Sequence, residues 1–362
     1  MKSVSFSTYK GIYTYNTTIS NGQEETTLLE EQVKRSIEEE YSLEVQSMDK
    51  IKNVYKITTE KDKYCLKVIN YEFNHFLFII SAIKHLQNNG FNKTPNIIKN
   101  KHCKDYIKIC NRYAYLTTWI EARECNYNNP VDVMLATCKL AELHKKSFGF
   151  NLTTDMKPRV GWLKWLGSFR NKRDELLLFK SIIENKENNT EFDSLYLKSI
   201  DEELWRIDKS IDNLIESDYF IRMEDEVNNK SFCHHDYANH NILIEDDSSI
   251  NIIDFDYCIL DTHLHDLCSL IIRVMKNGKW DIDKSTDIID YYSSVYPIEG
   301  KDIPIMASLI EFPQAFWQVG IQYYIEKQPW GEEFFINKLN KIYEDKDLRQ
   351  EFVDEFRNKK YN

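Results

Sequence analysis

Apolar and polar positions alternate in the first third of the chain and follow a helical period in most of the rest. The alternating stretches predict short strands, which lie at 53–59, 63–69, 106–109 and 113–118. Helical spacing predicts one helix over 30–41 and another over 76–88, and the second runs into Asn89-Gly90, a common helix stop. The early part of the chain therefore predicts a small sheet accompanied by helices.

From Pro130 onward nearly all of the predicted elements are helices. They lie at 136–148, 161–166, 176–214 with a polar interruption at 184–189, 263–276, 281–296, 302–326 and 332–345. The predicted fold class is therefore α+β with two lobes. The predicted divisions are a lead-in and helix at 1–40, a β-rich lobe with one helix at 41–120, a hinge or linker at 121–130 and a helical lobe at 131–362.

Composition agrees with two lobes and argues against two classes of partner. With 362 residues and 42% hydrophobic content, the chain can bury a large core. A formal charge of −11 argues against a nucleic-acid partner, because neutralising phosphates requires clustered Lys and Arg. No window approaches the ~18 apolar residues of a membrane helix, and eight cysteines are scattered through apolar contexts. These features predict a cytoplasmic protein with free thiols and no membrane association.

One segment carries the candidate chemistry. The run Phe232 to Ile244 contains the pattern His-x-Asp-x₄-Asn, and Ile252-Ile253-Asp254-Phe255-Asp256 follows a short charged turn. Transfer of the γ-phosphoryl group of ATP needs a carboxylate to orient or deprotonate the acceptor, and oxygen ligands for Mg²⁺. Asp236 suits the first role, whereas Asn241 and Asp254 suit the second. The spacing therefore predicts a kinase that acts on a small molecule.

A hairpin between Asn241 and Asp254 would bring both side chains to one metal ion. If the second strand stays extended, Asp254 and Asp256 point to the same side, which makes Asp256 a candidate second metal ligand. The alternative is that these acidic residues only end a buried strand at the surface.

Histidines surround the candidate base, at His234, His235 and His240. They could be read as a zinc site, but no Cys-x-x-Cys pair accompanies them and their spacing matches no closed zinc pattern. We instead expect His234 to brace the loop by hydrogen bonding to backbone or to the region of Asp254.

Three further positions are candidates for nucleotide binding. Lys67 lies in the middle of an apolar strand, where a lysine either reaches a sheet edge or holds a buried anion, in a kinase the α- and β-phosphates. Glu72 is a candidate partner for Lys67, although His75 stands where another alignment would place that partner. Trp119-Ile120 are predicted to lie in the hinge whose backbone binds adenine, with a plain strand-to-helix connection as the alternative.

At these residues the chain resembles the aminoglycoside phosphotransferase and choline-kinase-like superfamily, and within it the CotS-type spore-coat kinase-like proteins. The resemblance covers roughly residues 40–358. Beyond the catalytic loop it includes 64–67, 81–86, 89–91, 140–145, 192–196, 265–267, 280–282 and 312–317. The catalytic motif indicates the superfamily, and the aromatic helical segments indicate the spore-coat branch.

The resemblance implies a bilobal protein-kinase-like fold that binds ATP and Mg²⁺ and a small-molecule acceptor. Through the spore-coat branch it also implies a place in the spore coat, with other coat proteins as partners. Carried over by position, Asp236 resembles the catalytic base, Asn241 and Asp254 the Mg²⁺ ligands, Lys67 the phosphate anchor, and Asp266 a structural acid.

One departure from the superfamily pattern leaves a second function open. No glycine occurs between Gly22 and Gly90, so the loop expected to cover the phosphates, near 48–54, lacks the residues that let backbone N–H groups approach closely. A coat protein that keeps the kinase fold with weak or no activity is therefore the alternative to an enzyme.

Overall fold

The computed structural model describes the backbone of residues 22–359 and the side chains of residues 30–359. The chain forms two units, one of residues up to Asn70 with Ile97–Trp119 and one of Tyr71–Asn96 with the chain from Ile120 onward. The helix predicted from residue 30 already begins at Gly22, and the part of the predicted lead-in before residue 22 lies outside the described residues. The helix that the sequence assigns to the first lobe groups with the second unit.

The first unit contains helix α1 (Gly22–Tyr41) and a six-stranded antiparallel sheet. Its strands are β1 (Ser47–Ile51), β2 (Val54–Thr58), β3 (Lys63–Val68), β4 (Ile97–Ile98), β5 (Ile107–Ile109) and β6 (Arg112–Thr118). The apolar face of α1, including Val33 and Ile37, packs with Ile57, Leu66 and Leu116 of the sheet. Burial of these side chains supplies the hydrophobic stabilisation of this unit.

Sequence patterning missed the first strand of this sheet. The segment at 48–54, expected to be a loop over the phosphates, is instead a hairpin with the two-residue turn Lys52-Asn53. Lys52 has a φ of 52°, in the left-handed region that glycine usually occupies in such turns. The lack of glycine is therefore compatible with a tight turn, because a lysine adopts the required conformation.

The second unit contains ten helices and five short strands in its described part. The helices are α2 (Phe73–Asn88), α3 (Pro130–Ser147), α4 (Trp165–Glu184), α5 (Glu191–Glu216), α6 (Tyr219–Asn229), α7 (His263–Met275), α8 (Ile282–Ser293), α9 (Asp302–Glu311), α10 (Gln314–Gly320) and α11 (Glu332–Asn358). The strands are β7 (Arg123–Glu124), β8 (Arg159–Val160), β9 (Ile242–Ile244), β10 (Ile250–Ile252) and β11 (Ile259–Leu260). An antiparallel N-terminal sheet followed by a mostly helical region agrees with the predicted fold class.

Two helical predictions in this unit are wrong in detail. The segment 161–166 is largely a loop, because the N–H groups of Gly161 and Trp162 both donate to Leu260 O and α4 begins only at Trp165. The single helix expected over 302–326 is broken at Pro313, which cannot donate a backbone hydrogen bond and restricts the residue before it.

The described part of the chain contains no helix that is long and apolar enough to cross a membrane. All eight cysteines are free thiols.

Candidate active site

Asp266, in the first turn of α7, fixes the backbone of the candidate catalytic loop. Its carboxylate accepts the N–H of His234 at 2.7 Å and the N–H of His235 at 2.8 Å. His144 of α3 lies 3.2 Å from the same carboxylate, which is fully buried. Burial alone would raise the pKa of Asp266, but the hydrogen bond from His144 and the proximity of His265 outweigh it and hold that pKa well below its usual range. Asp266 therefore acts as an ionised anchor for the loop, as the resemblance implies.

The imidazole of His234 links the loop to the strand that follows. Its Nδ1 accepts the Asp236 N–H at 3.3 Å, and its Nε2 lies 2.9 Å from Ile253 O. Because Nδ1 accepts, Nε2 carries the proton and donates to the carbonyl. The expected bracing role of His234 is therefore confirmed.

Both carboxylate oxygens of Asp236 are engaged within the chain. Asn241 Nδ2 donates to Asp236 Oδ2 at 3.2 Å and to Asp236 O at 2.9 Å. Arg273 Nη2, from the last turn of α7, donates to Asp236 Oδ1 at 2.8 Å. The Asp236 side chain stays 27% exposed, so an acceptor can still reach it. The carboxylate is therefore oriented by its neighbours rather than free to rotate.

The predicted hairpin brings the backbones of Asn241 and Asp254 together. Strands β9 and β10 pair with Ile242 opposite Ile252, and the Ile253 N–H donates to Asn241 O at 3.0 Å. Asp254 follows with a φ of 63°, a left-handed conformation that costs a non-glycine residue on the order of 1 kcal/mol. Strain of this kind is common at functional sites.

The donor set at this hairpin fits a hard divalent cation. Asn241 uses its Nδ2 on Asp236, so its amide oxygen is the side-chain atom left to face a ligand. Amide and carboxylate oxygens are the ligands that Mg²⁺ prefers. Within residues 30–359 the structure contains no group of three or more His, Cys, Asp or Glu side chains that could hold a metal ion.

Contrary to the prediction, Asp254 and Asp256 do not lie on one side of a strand, because this segment is not extended. Asp254 is left-handed and a 3₁₀ turn begins at Phe255, so strand alternation does not apply to these two aspartates. The Asp256 carboxylate accepts the hydroxyl of Tyr71 at 3.0 Å. A metal-binding role for Asp256 stays a prediction.

His235 and His265 form a stacked pair beside the candidate base. Their ring centroids are 4.1 Å apart at an interplanar angle of 11°. His235 has a φ of 67°, another strained non-glycine residue. Burial, and secondarily the neighbouring His265, lower the pKa of His235 to about 3, so its ring is neutral at pH 7. The His235 ring therefore contributes a packing contact rather than a positive charge.

In the first unit, Lys67 lies on β3 between Val54 of β2 and Tyr115 of β6. Because β3 is paired on both sides, Lys67 does not lie at a sheet edge. Trp119 lies just after β6, and its backbone N–H donates to Lys63 O at 3.0 Å.

Glu72 and Ile120 belong to the second unit. Glu72 precedes α2 and pairs with Lys157 at 2.8 Å, with both side chains largely exposed. Ile120 stands in the irregular segment between β6 and β7. The nucleotide-binding roles assigned to these two residues, and to Lys67 and Trp119, stay predictions.

Two residues of this site were not found from the sequence, namely Arg273 and Tyr71. The only available signal for Arg273 was the absence of acidic residues from 267 to 280 in an acidic chain. Tyr71 carried no signal, since it lies 185 residues from its partner Asp256.

Comparison with known proteins identifies relatives over most of the chain. Residues 34–356 match the model of the family described as "Spore coat putative kinase YutH". Spore coat protein S of Bacillus subtilis (strain 168) is 23% identical over 305 residues, which cover 84% of this chain and 86% of that protein.

Solved structures show the same fold at low identity. An aminoglycoside phosphotransferase from Alicyclobacillus acidocaldarius matches with a TM-score of 0.79 at 21% identity, covering 89% of this chain and 95% of that chain. An AMP-bound spectinomycin phosphotransferase matches with a TM-score of 0.65 at 13% identity, covering 90% of this chain and 98% of that chain. The predicted aminoglycoside phosphotransferase-like fold is confirmed.

Proposed function

The chain belongs to the family of the spore coat putative kinase YutH, and we propose that it transfers the γ-phosphoryl group of ATP to a hydroxyl or amine of a small-molecule acceptor with the help of Mg²⁺. The nucleotide is supported by solved relatives of the same fold, which include complexes of spectinomycin phosphotransferase with AMP and with ADP. The similarity to spore coat protein S supports a place in the spore coat, with other coat proteins as partners, after synthesis in the cytoplasm.

The observation that carries this proposal is the hydrogen-bonded pair of Asp236 and Asn241. The Asn241 amide orients the candidate base through Nδ2, and its oxygen remains for a metal ion. A bound Mg²⁺ would neutralise charge that develops on the phosphates. Asn241 and Asp254 are the residues that would hold it, with Asp256 as a further candidate.

In the proposed step, the acceptor oxygen or nitrogen forms a bond to the γ-phosphorus while the bond between that phosphorus and the bridging oxygen breaks. The acceptor proton passes to the Asp236 carboxylate, and ADP leaves. Lys67 would contact the α- and β-phosphates, and the backbone at Trp119 and Ile120 would contact adenine.

Replacement of Asp236 is expected to affect catalytic turnover without affecting the binding of Mg²⁺–ATP. Asp236→Asn should abolish acceptor-dependent ADP release while Mg²⁺–ATP still binds, because the substitution removes the proton acceptor and leaves the metal-binding oxygens. The matched control is Asp246→Asn, the same change in an exposed turn of the hairpin. Equal turnover by Asp236→Asn and wild type would refute the assignment of Asp236.

A second candidate is a coat protein that keeps the fold with weak or no phosphotransfer. It is favoured by the pairing of Asp236 with Arg273, which competes with proton abstraction, and by the glycine-free turn at Lys52-Asn53. A coat protein without phosphotransfer predicts no Mg²⁺-dependent nucleotide binding, whereas the enzyme requires such binding.

A further inference from the structure

The last turn of α7 and the residues after it are unusually basic for this chain. Although the protein has a net charge of −11, residues 267–280 contain Arg273, Lys276 and Lys279 and no Asp or Glu. Because Arg273 contacts Asp236, this basic stretch begins at the candidate base.

Arg273 has donors to spare at this position. Its Nη2 reaches Asp236 Oδ1 at 2.8 Å and its Nε reaches Ser269 Oγ at 3.3 Å. The side chain is 32% exposed, and its Nη1 has no hydrogen-bond partner in the described part of the chain. A planar guanidinium with unused N–H groups is suited to a carboxylate or phosphate.

Lys276, one helical turn beyond Arg273, lacks a counter-charge. No carboxylate of the described residues lies within 4 Å of its ammonium group, whereas the ammonium of Lys279 reaches Asn128 Oδ1 at 2.5 Å. Burial, and then repulsion by Arg273, lower the pKa of Lys276. Arg273 and Lys276 are therefore neighbouring cations that repel each other, and of the two only Arg273 has a carboxylate partner among the described residues, Asp236.

Compensation of the helix dipole accounts for only part of this arrangement. Cations in the last turn of a helix interact favourably with its free carbonyl groups. Arg273, however, directs its guanidinium at the Asp236 carboxylate and at the Ser269 hydroxyl, not at the carbonyls of α7. Its position is better explained by the chemistry of the site.

We propose that Arg273 and Lys276 bind an anionic group of the acceptor, a carboxylate or a phosphate, next to the hydroxyl or amine that Asp236 receives. This inference rests on the proposed kinase function and narrows its substrate class. Polycationic and quaternary ammonium acceptors would be repelled by the same two side chains. An anionic group would reduce the repulsion between Arg273 and Lys276. It would bind the Arg273 guanidinium at the same time as the Asp236 carboxylate does.

The first test needs no knowledge of the acceptor. Inorganic phosphate is titrated into the nucleotide-free protein by calorimetry, for wild type, Arg273→Gln, Lys276→Gln and the matched control Lys279→Gln. We expect binding to wild type and control, and an affinity about tenfold lower in the other two variants, as for loss of one charge-assisted contact. Equal affinities in all four proteins, or no binding to wild type, would overturn the proposal.

The second test distinguishes the acceptor from the nucleotide as the source of the anion. ADP release from Mg²⁺–ATP is measured with glycerol, glycerol 3-phosphate and choline as probes. We expect stimulation by glycerol 3-phosphate that Lys276→Gln reduces; stimulation by choline or glycerol alone would contradict the proposal.

Nucleotide affinity separates the remaining possibilities. We expect Lys276→Gln to bind Mg²⁺–ATP as wild type does, and a matching loss of affinity would reassign the two cations to the nucleotide phosphates. If wild type binds phosphate through Lys276 but never binds Mg²⁺–ATP, the kinase function fails while the anion site stands.

Discussion

The buried carboxylate of Asp266 offers the sharpest test of how the site is built. It accepts two backbone N–H groups of the catalytic loop and contacts His144, with no exposure to solvent. In Asp266→Asn, one acceptor oxygen becomes an NH₂ group that faces a backbone N–H donor. The variant loses one charge-assisted hydrogen bond and leaves one buried donor without a partner.

The size of the effect follows from these two losses. A hydrogen bond to a charged group contributes about 1.5–3 kcal/mol, and an unsatisfied buried donor costs about 1–3 kcal/mol. We therefore expect Asp266→Asn to lower the free energy of unfolding by about 2.5–6 kcal/mol.

Urea unfolding followed by tryptophan fluorescence is a suitable assay, because six of the seven tryptophans lie in the second unit. The matched control is Asp246→Asn, in the exposed turn between β9 and β10, which should change stability by less than about 0.5 kcal/mol. A loss for Asp266→Asn within about 1 kcal/mol of the control would refute the anchoring role.

Two further predictions concern stability. Gly161→Ala should destabilise the protein by about 1–3 kcal/mol in urea unfolding, because the added Cβ would lie 2.3 Å from Asp261 Oδ2 in a buried site. In the control Gly167→Ala, the added Cβ meets no atom within 4 Å, so this variant should be as stable as wild type or more stable. Equal effects of the two substitutions would contradict this packing. For Glu226, burial raises the pKa, but the charge and hydrogen bond of His263 outweigh it and lower the pKa to about 2 from an ordinary 4.5. The ionised Glu226 carboxylate therefore stabilises the folded protein fully above about pH 4.5, and this contribution is lost as the pH falls toward 2. Between pH 5 and pH 3, the free energy of unfolding should therefore fall less steeply for Glu226→Gln than for wild type.

Local patterns were sufficient to predict the hairpin of the site. Asn241 and Asp254 flank two short apolar strands with a polar turn, and the structure pairs those strands as expected. Prediction failed where one residue departs from its local pattern. At Asp254 a left-handed φ ends the strand, and strand alternation therefore gave a wrong premise for Asp256.

Contacts between distant parts of the chain could not be predicted. Arg273 lies 37 residues from Asp236, and the two meet only because α7 packs beside the catalytic loop that Asp266 anchors. Likewise, helical spacing at 161–166 gave no sign that the backbone of Gly161 would bond to Leu260. In both cases the local structure depends on hydrogen bonds between residues that are distant in the sequence.

The central claim is a working nucleotide site, and a calorimetric titration of ATP with and without Mg²⁺ tests it most directly. Wild type is compared with Asp254→Ala, which removes a proposed metal ligand, and with Asp246→Ala as the control. The proposed function predicts Mg²⁺-dependent binding in wild type and control that is lost or at least tenfold weaker in Asp254→Ala. No binding in any of the three proteins would contradict the enzyme and favour a coat protein that keeps only the kinase fold.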